Sequence, residues 1–471
     1  MPEAEPGPGT IGPGSDPEKC PASFARGRAA YGDSTSSAGG STGTRSLRDR
    51  LQLATIAGAL FVVWTGFGAV LPYLPVFLRE EAHASVSLIG LVAAAYYLGV
   101  VSFAGLFGLA SDRIGRKPLL VVGVCLYATA TLLFITTTHP GWFVLFRFLE
   151  GVGAAAVYPA GMAFVADIST DANRSRSFGW LTSAQFAGLV AGPALAVPLY
   201  ALGGGQGRWA FYSIFLFGSC LSWLVAVALA IVLKEPARVA RARRIRRTEK
   251  MPVRQIVSGP IVAFLVVAAT SNFTMGAFEV VWSLWLRSLG ASMSFVGATW
   301  VAFSLPMLLS FVGGRLADRH SRFFLMFLGF GMSAVAWITY GLVQLLPFLL
   351  IMNAVEGLSI ALAYPAKAAF LVQVSPRAFV GTVQGMESTA GQLAGLAGTI
   401  IAPLVYERLG GLIMTVGGVL SLIGLTAVAP TLRREWRRLA EEKRVAMVVE
   451  AEMRTPLTES GGEGGGERVS A

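Results

Sequence analysis

Four ionisable side chains, Arg147, Glu150, Glu279 and Glu356, stand inside long apolar runs of this chain. A charge at the centre of a membrane helix costs roughly 2.5–3.5 kcal/mol on insertion scales, so each must face a protein interior or a wet cavity. Arg147 and Glu150 are three residues apart, share one helix face and can pair; Gly151, Ala154 and Tyr158 continue that face. Taken by itself, such a pair can hold one helix to its neighbours. Glu279 lies in a stretch where Asn272, Met275, Gly276, Glu279, Trp282 and Ser283 fall on one side at helical spacing. A carboxylate among aromatic rings suits a cationic or aromatic partner, because ring faces also attract cations. Low dielectric favours the neutral form of a lone carboxylate, which makes Glu279 a candidate proton carrier. The bland alternative is that these aromatics anchor the end of a span. Asn353 and Glu356 repeat the Arg147–Glu150 spacing with Asn in place of Arg, so Glu356 has no cation beside it in sequence. The chemistry on offer is proton exchange and recognition of a small molecule. His83, His139 and His320 fall in loop-like stretches, and Cys20, Cys125 and Cys220 show no metal or disulfide spacing, so no metal, cofactor or enzymatic reaction is expected. No Gly-x-x-x-x-Gly-Lys-Ser/Thr loop stands in the chain, which leaves direct ATP coupling without support.

The elements that must position these residues are membrane helices. Hydrophobic residues make up 54% of the chain and charged ones 14%, against about 25% charged in a soluble domain. Apolar runs long enough to cross a bilayer as helix recur throughout. They place twelve spans near 53–79, 87–109, 118–137, 142–166, 178–201, 210–233, 258–286, 294–314, 322–343, 347–370, 380–405 and 411–431. The fold class is an all-α integral membrane protein, its twelve transmembrane helices in two pseudo-symmetric six-helix halves. The expected parts are a polar tail (1–50), a first half (51–233), a basic linker (234–257), a second half (258–431) and a second tail (432–471). The tail at the start is rich in Gly, Pro and Ser and reads as disordered. Residues 432–450 read as a short amphipathic or charged helix.

The net charge of +11 does not point to nucleic acid. Basic residues cluster in 234–254 and 433–444, beside apolar runs, while Arg79, Arg208, Arg287 and Arg408 are the main cations of the other face. That asymmetry is the positive-inside pattern and puts both termini in the cytoplasm. The arginines from Arg241 to Arg247 are also placed to meet anionic lipid headgroups. The expected partners are the lipid bilayer, protons and a small-molecule substrate, with the protein as a monomer.

A repeat organises the whole. The turn Gly108-Leu-Ala-Ser-Asp112-Arg113-Ile-Gly115-Arg116-Lys117 returns 206 residues later with Gly314, Asp318, Arg319 and Arg322 in place. Glu150-Gly151 and Tyr158-Pro159 return at the same offset as Glu356-Gly357 and Tyr364-Pro365. The unit is therefore duplicated. The first turn resembles the signature loop of the major facilitator superfamily at every position; the second departs at Ser321 and Phe323. Arg147 followed four residues later by Gly151 is similar to that family's fourth-span motif, whose Arg is linked to proton coupling in relatives. Gly188-Leu-Val-Ala-Gly192-Pro193 resembles the fifth-span motif of its antiporter branches, without the trailing glycines, and also reads as plain small-residue helix packing with a kink. The resemblance implies a secondary transporter working by alternating access, most similar to the drug:proton antiporters. It also implies that the signature loop latches the two halves, with Asp112 at the start of span 11 and Asp167 paired with Arg116 or Arg113.

The reading is a proton-coupled exporter of a small amphipathic or cationic compound in the cell membrane. Alternatives are a nutrient importer on the same fold or a membrane sensor that transports nothing. With both termini cytoplasmic, a cysteine introduced near Arg244 should resist an impermeant thiol reagent applied to intact cells. Labelling from outside would reverse the assignment.

Overall fold

The structure is a computed structural model that describes residues 47–169, 174–235, 257–376 and 379–454; the expectations for the first tail, most of the basic linker and the Gly-rich end lie outside these residues, as does the side chain of Asp112. Among the described residues twelve helices are long and apolar enough to cross a membrane. Span 1 is Leu47–Val70, continued by Leu74–Glu80 after a break that holds buried Tyr73. Spans 2 to 6 are Val86–Ile114, Arg116–Leu133, Pro140–Ile168, Arg174–Leu202 and Gly207–Val232. Span 7 is Gly259–Ser288. Span 8 is helical over Met293–Ser304 and Ser310–Arg319, joined by a tighter turn at Leu305–Leu309 that follows from Pro306. Spans 9 to 11 are Arg322–Leu342, Leu346–Val374 and Val380–Leu409. Span 12, Leu412–Arg454, runs without interruption into the charged helix expected as a separate element. An even number of spans leaves both described ends on one side, called here the termini side.

Several hydroxyls inside these helices are satisfied locally. Thr65, Ser222 and Thr274 each donate to a carbonyl three or four residues back. The two copies of the signature turn meet the next helix differently. Gly115, with φ of 109°, takes a conformation that favours glycine, and its lack of a side chain leaves span 3 uncapped locally. Glu235, from just beyond span 6, supplies the cap: its two carboxylate oxygens accept the backbone N–H of Arg116 and Lys117 at 2.6 and 2.9 Å. That is an anion at a helix N-terminus. In the second copy Ser321 replaces the glycine and caps span 9 itself, accepting from Phe324 N–H at 3.2 Å. The departure at Ser321 is thus a local substitute for a distant carboxylate.

Glycines set how closely the spans approach. A Cβ on Gly151 would overlap the carbonyl of Tyr96, and one on Gly357 the carbonyl of Phe303. These paired contacts press span 4 on span 2 and span 10 on span 8. Gly188 and Gly192 abut the backbone of span 1 at Phe61, Thr65 and Ala69, so the fifth-span motif acts here in helix packing. The halves meet along spans 2 and 11, where Gly90 lies against Thr399 and Pro403, and along spans 5 and 8, where Gly297 faces Val197. On the side away from the termini the first half is filled by Phe77, Phe134, Phe143, Phe211 and Phe215, and the second by Phe278, Trp282, Trp300 and Tyr340. Gly151→Ala should therefore destabilise the protein by about 1–3 kcal/mol, the usual cost of overpacking. The check is thermal unfolding in detergent beside Gly58→Ala, whose added methyl meets nothing within 4 Å.

Candidate functional site

Arg147 is the centre of the site. It is 1% exposed and lies two turns into span 4, nearer the end away from the termini. Its guanidinium donates to Glu150 Oε2 at 2.8 Å, the pairing that the three-residue spacing allows, and to Glu279 Oε1 at 2.8 Å. Glu279 comes from span 7, in the other half. Sequence places no basic residue within a turn of Glu279, so it reads there as a lone carboxylate; the fold corrects this by bringing Arg147 across the interface. The second oxygen of Glu279 accepts from Tyr97 Oη at 3.0 Å, and Thr131 Oγ1 donates to Glu150 Oε1 at 2.6 Å. The guanidinium lies over the ring of Tyr96, 4.9 Å from its centroid, a cation–π contact. One cation is thus shared by two buried carboxylates, and its Nε finds no partner.

A cavity of about 660 Å³ lies on the termini side of this triad. Trp64, Phe67, Tyr96, Tyr127, Tyr158 and Phe186 supply its aromatic wall, and Gln185, Ser388, Thr389 and Gln392 its polar groups. Tyr158 is 48% exposed into it. No charged side chain is among the lining residues. At the opposite end the halves are joined by Arg287, whose guanidinium meets Glu80 at 2.8 Å. Among the described residues, the side-chain polar contacts that cross between halves all end on span 7, at Glu279 or Arg287.

Glu356 repeats Glu150 without its cation. Trp337 Nε1 donates to Oε1 at 2.6 Å and Tyr340 Oη to Oε2 at 2.7 Å. Trp337 is the repeat mate of Thr131, so the same two positions are bonded in both halves by different chemistry. Asn353, the mate of Arg147, turns its amide NH₂ to Leu349 O, and its Oδ1 is buried without a hydrogen-bond partner. Trp282 is fully buried, donates to Thr299 Oγ1 at 3.0 Å and stacks on Phe278, away from the cavity. Asn272 donates to Ala268 O and packs on Gly391 of span 11. Lys367 is buried and pairs with Glu387 of span 11 at 2.5 Å.

The turn residues lie apart from this site. Arg116 pairs with Asp167 at 3.2 Å, as the resemblance implies, and also meets Ser111. Arg113 is exposed. In the second copy Arg322 meets Asp318 at 3.5 Å within its own half. Gly108 has open space around it, and Gly314 touches only the ring of Pro365. Sequence reasoning missed Tyr97, Thr131, Trp337, Tyr340, Glu387 and Glu235. The 206-residue offset could have marked Thr131 and Trp337; the others carry no local signal.

Residues 56–305 and 264–459 match the family model described as Major Facilitator Superfamily. The chain is 25% identical over 390 residues to "Multidrug resistance protein 2" of Bacillus subtilis (strain 168), covering 78% of this chain and 92% of that protein. It is 24% identical over 226 residues to "Quinolone resistance protein NorA" of Staphylococcus aureus, where the match spans 48% of this chain and 56% of that one. Among solved structures it resembles a bacterial homologue of the human lysosomal transporter Spinster in an inward-facing and occupied conformation. That likeness has a TM-score of 0.67 at 16% identity, over 83% of this chain and 98% of the other. It also resembles a D-xylose-proton symporter, with a TM-score of 0.66 at 15% identity, over 81% and 96% of the two chains. With the duplicated six-helix halves, the signature turn and the family model agreeing over most of its length, the chain belongs to the Major Facilitator Superfamily and is a multi-pass membrane transporter.

Proposed function

We propose that the protein exports small amphipathic organic compounds across the cell membrane in exchange for protons, with both termini in the cytoplasm. The observation that carries this reading is the Arg147 triad beside an aromatic cavity. One guanidinium between two carboxylates leaves one negative charge in excess within a low-dielectric interior, where an uncompensated charge is costly. A proton on Glu279 removes that excess and leaves Arg147 paired with Glu150 inside the first half. The same step weakens the polar tie between halves, because Glu279 belongs to the second. A positively charged or polarised substrate at the Tyr96 end of the cavity acts on the same charge. Two ligands competing for one charge is the elementary requirement of antiport.

The wall supports an amphipathic substrate. Six aromatic side chains and four neutral polar ones give large apolar contact with few hydrogen bonds. A sugar would leave most of its hydroxyls unpaired there, which disfavours the importer reading. The relatives named for multidrug and quinolone resistance point the same way. Alternating access follows from the geometry: the cavity lies on the termini side while Glu80–Arg287 and the aromatic packing close the other.

Glu279→Gln should abolish pH-gradient-driven transport in vesicles, by about tenfold or more, while counterflow exchange stays near the parent rate. Full gradient-driven transport in this variant would remove the triad from coupling. Glu150→Gln strands more of the buried guanidinium and should instead lower stability, by up to about 3–5 kcal/mol. The Glu80–Arg287 pair is partly exposed, and such pairs contribute about 0.2–1 kcal/mol. Arg287→Gln should therefore shift the balance toward the outward-open form only modestly. The measure is labelling from outside of a cysteine placed at Ser388; unchanged labelling would mean that the aromatic packing alone holds this end shut.

A further inference from the structure

The two halves line their interiors differently at paired positions. Trp64, Tyr127, Ala154 and Tyr158 of the large cavity correspond, 206 residues on, to Thr270, Ser333, Ile360 and Tyr364. These four line a second, smaller chamber of about 40 Å³ inside the second half, between spans 7, 9, 10 and 12. Glu356 lines it too, with Ser271, Thr274 and Ser421. The volume suits a few water molecules and no organic solute, since one water needs roughly 10–15 Å³ on this measure. Thr270 and Thr274 donate their hydroxyl hydrogens to backbone carbonyls, so their oxygens offer lone pairs to whatever enters. The chamber is therefore fitted to water or a hydrated proton.

Tyr364 lines the termini-side end of the chamber, with Val267, Phe330 and Leu425. Its ring carries the ammonium of Lys367 at 4.8 Å, and Lys367 is bonded to Glu387. Glu387 adjoins Ser388 and Thr389 in the wall of the large cavity. From Glu356 to Lys367 the chain runs eleven residues along one helix, about 16 Å toward the termini side. The first half has Gly161 and Leu181 at the paired places, so the Lys367–Glu387 pair is no product of the duplication.

We propose that the second half carries its own proton path, from Glu356 through the hydroxyl-lined chamber and past Tyr364 to a port formed by Lys367 and Glu387. The path is separate from the aromatic wall that takes substrate. The groups that face Glu356 are Trp337 and Tyr340 from span 9 and Tyr364 from span 10. Spans 7 and 12 contribute hydroxyls, and no second charged residue lines the chamber. The proton leaves the Glu356 carboxyl for a chamber water, which passes one on toward the port, where Glu387 receives it beside the Lys367 ammonium. Glu387 relays the proton, Lys367 positions it through their ion pair, and neither binds substrate.

This inference rests on Glu356 carrying a proton, so Glu356→Gln is measured beside the port variant. Replacing both port charges together, Lys367→Met with Glu387→Gln, avoids stranding one of them. Gradient-driven transport should fall by about tenfold or more, with counterflow changed by less than about twofold. Unchanged driven transport in the double variant, with Glu356→Gln inactive, overturns the path and leaves the carboxylate's role standing. Driven transport retained by Glu356→Gln overturns both. An equal loss of counterflow in the double variant shows a purely structural pair and also overturns the path. If the double variant does not fold, Tyr364→Phe, which removes one hydroxyl at the chamber's termini-side end, is judged by the same two rates.

Discussion

The structure depends on a single guanidinium held by two carboxylates from different halves. Arg147 cannot leave its place cheaply, because a buried cation without partners is far costlier than a paired one. Glu150 holds it within span 4, and Glu279 ties it to span 7. The first bond is a matter of one helix; the second exists only while the halves are in this arrangement. A transporter needs an interaction strong enough to stabilise one state and removable by a small chemical event. An ion pair cancelled by one proton meets both needs. Thr131, Tyr97 and the Tyr96 ring complete the surroundings, so nearly every strong donor or acceptor around the guanidinium is used.

The close approach of spans 2 and 4 is what makes that arrangement possible. Gly151 lets span 4 rest directly on the Tyr96 backbone, and this brings the Tyr96 ring beneath the guanidinium four residues away along the same helix. Gly357 repeats the approach in the second half, with a different result. Asn stands in place of Arg, and Glu356 is held by two neutral donors, Trp337 and Tyr340. Duplication supplied two equivalent carboxylates; substitution at their neighbours gave one a charged partner and the other none. The cavities diverged with them: Trp64 and Tyr127 of the first half give way to Thr270 and Ser333 in the second, while Tyr158 and Tyr364 stay alike.

The caps of spans 3 and 9 show the same economy. Both helices start after the signature turn and both need an acceptor for exposed N–H groups. Glu235 performs this from the far end of the first half, and Ser321 performs it in place. Read as a motif, Ser321 is a departure; read as a helix terminus, it is a replacement for what Glu235 does elsewhere.

Much of this was legible in the residues alone. Apolar runs of membrane length, the 206-residue offset and the signature turn determined twelve helices in two related halves, because span length, charge exclusion and duplication all leave marks along the chain. The Arg147–Glu150 pair was legible too, since helical periodicity brings residues three apart together. Glu279 as a partner of Arg147, Glu387 as a partner of Lys367 and Glu235 as a cap were not, being 132, 20 and 119 residues away from their partners. Nor could sequence distinguish Trp282, buried among rings, from Tyr158, open to the cavity. Which face of an all-apolar helix meets protein, lipid or water leaves little periodic trace in a chain that is hydrophobic on every side. Only the packing of spans across the two halves decides it.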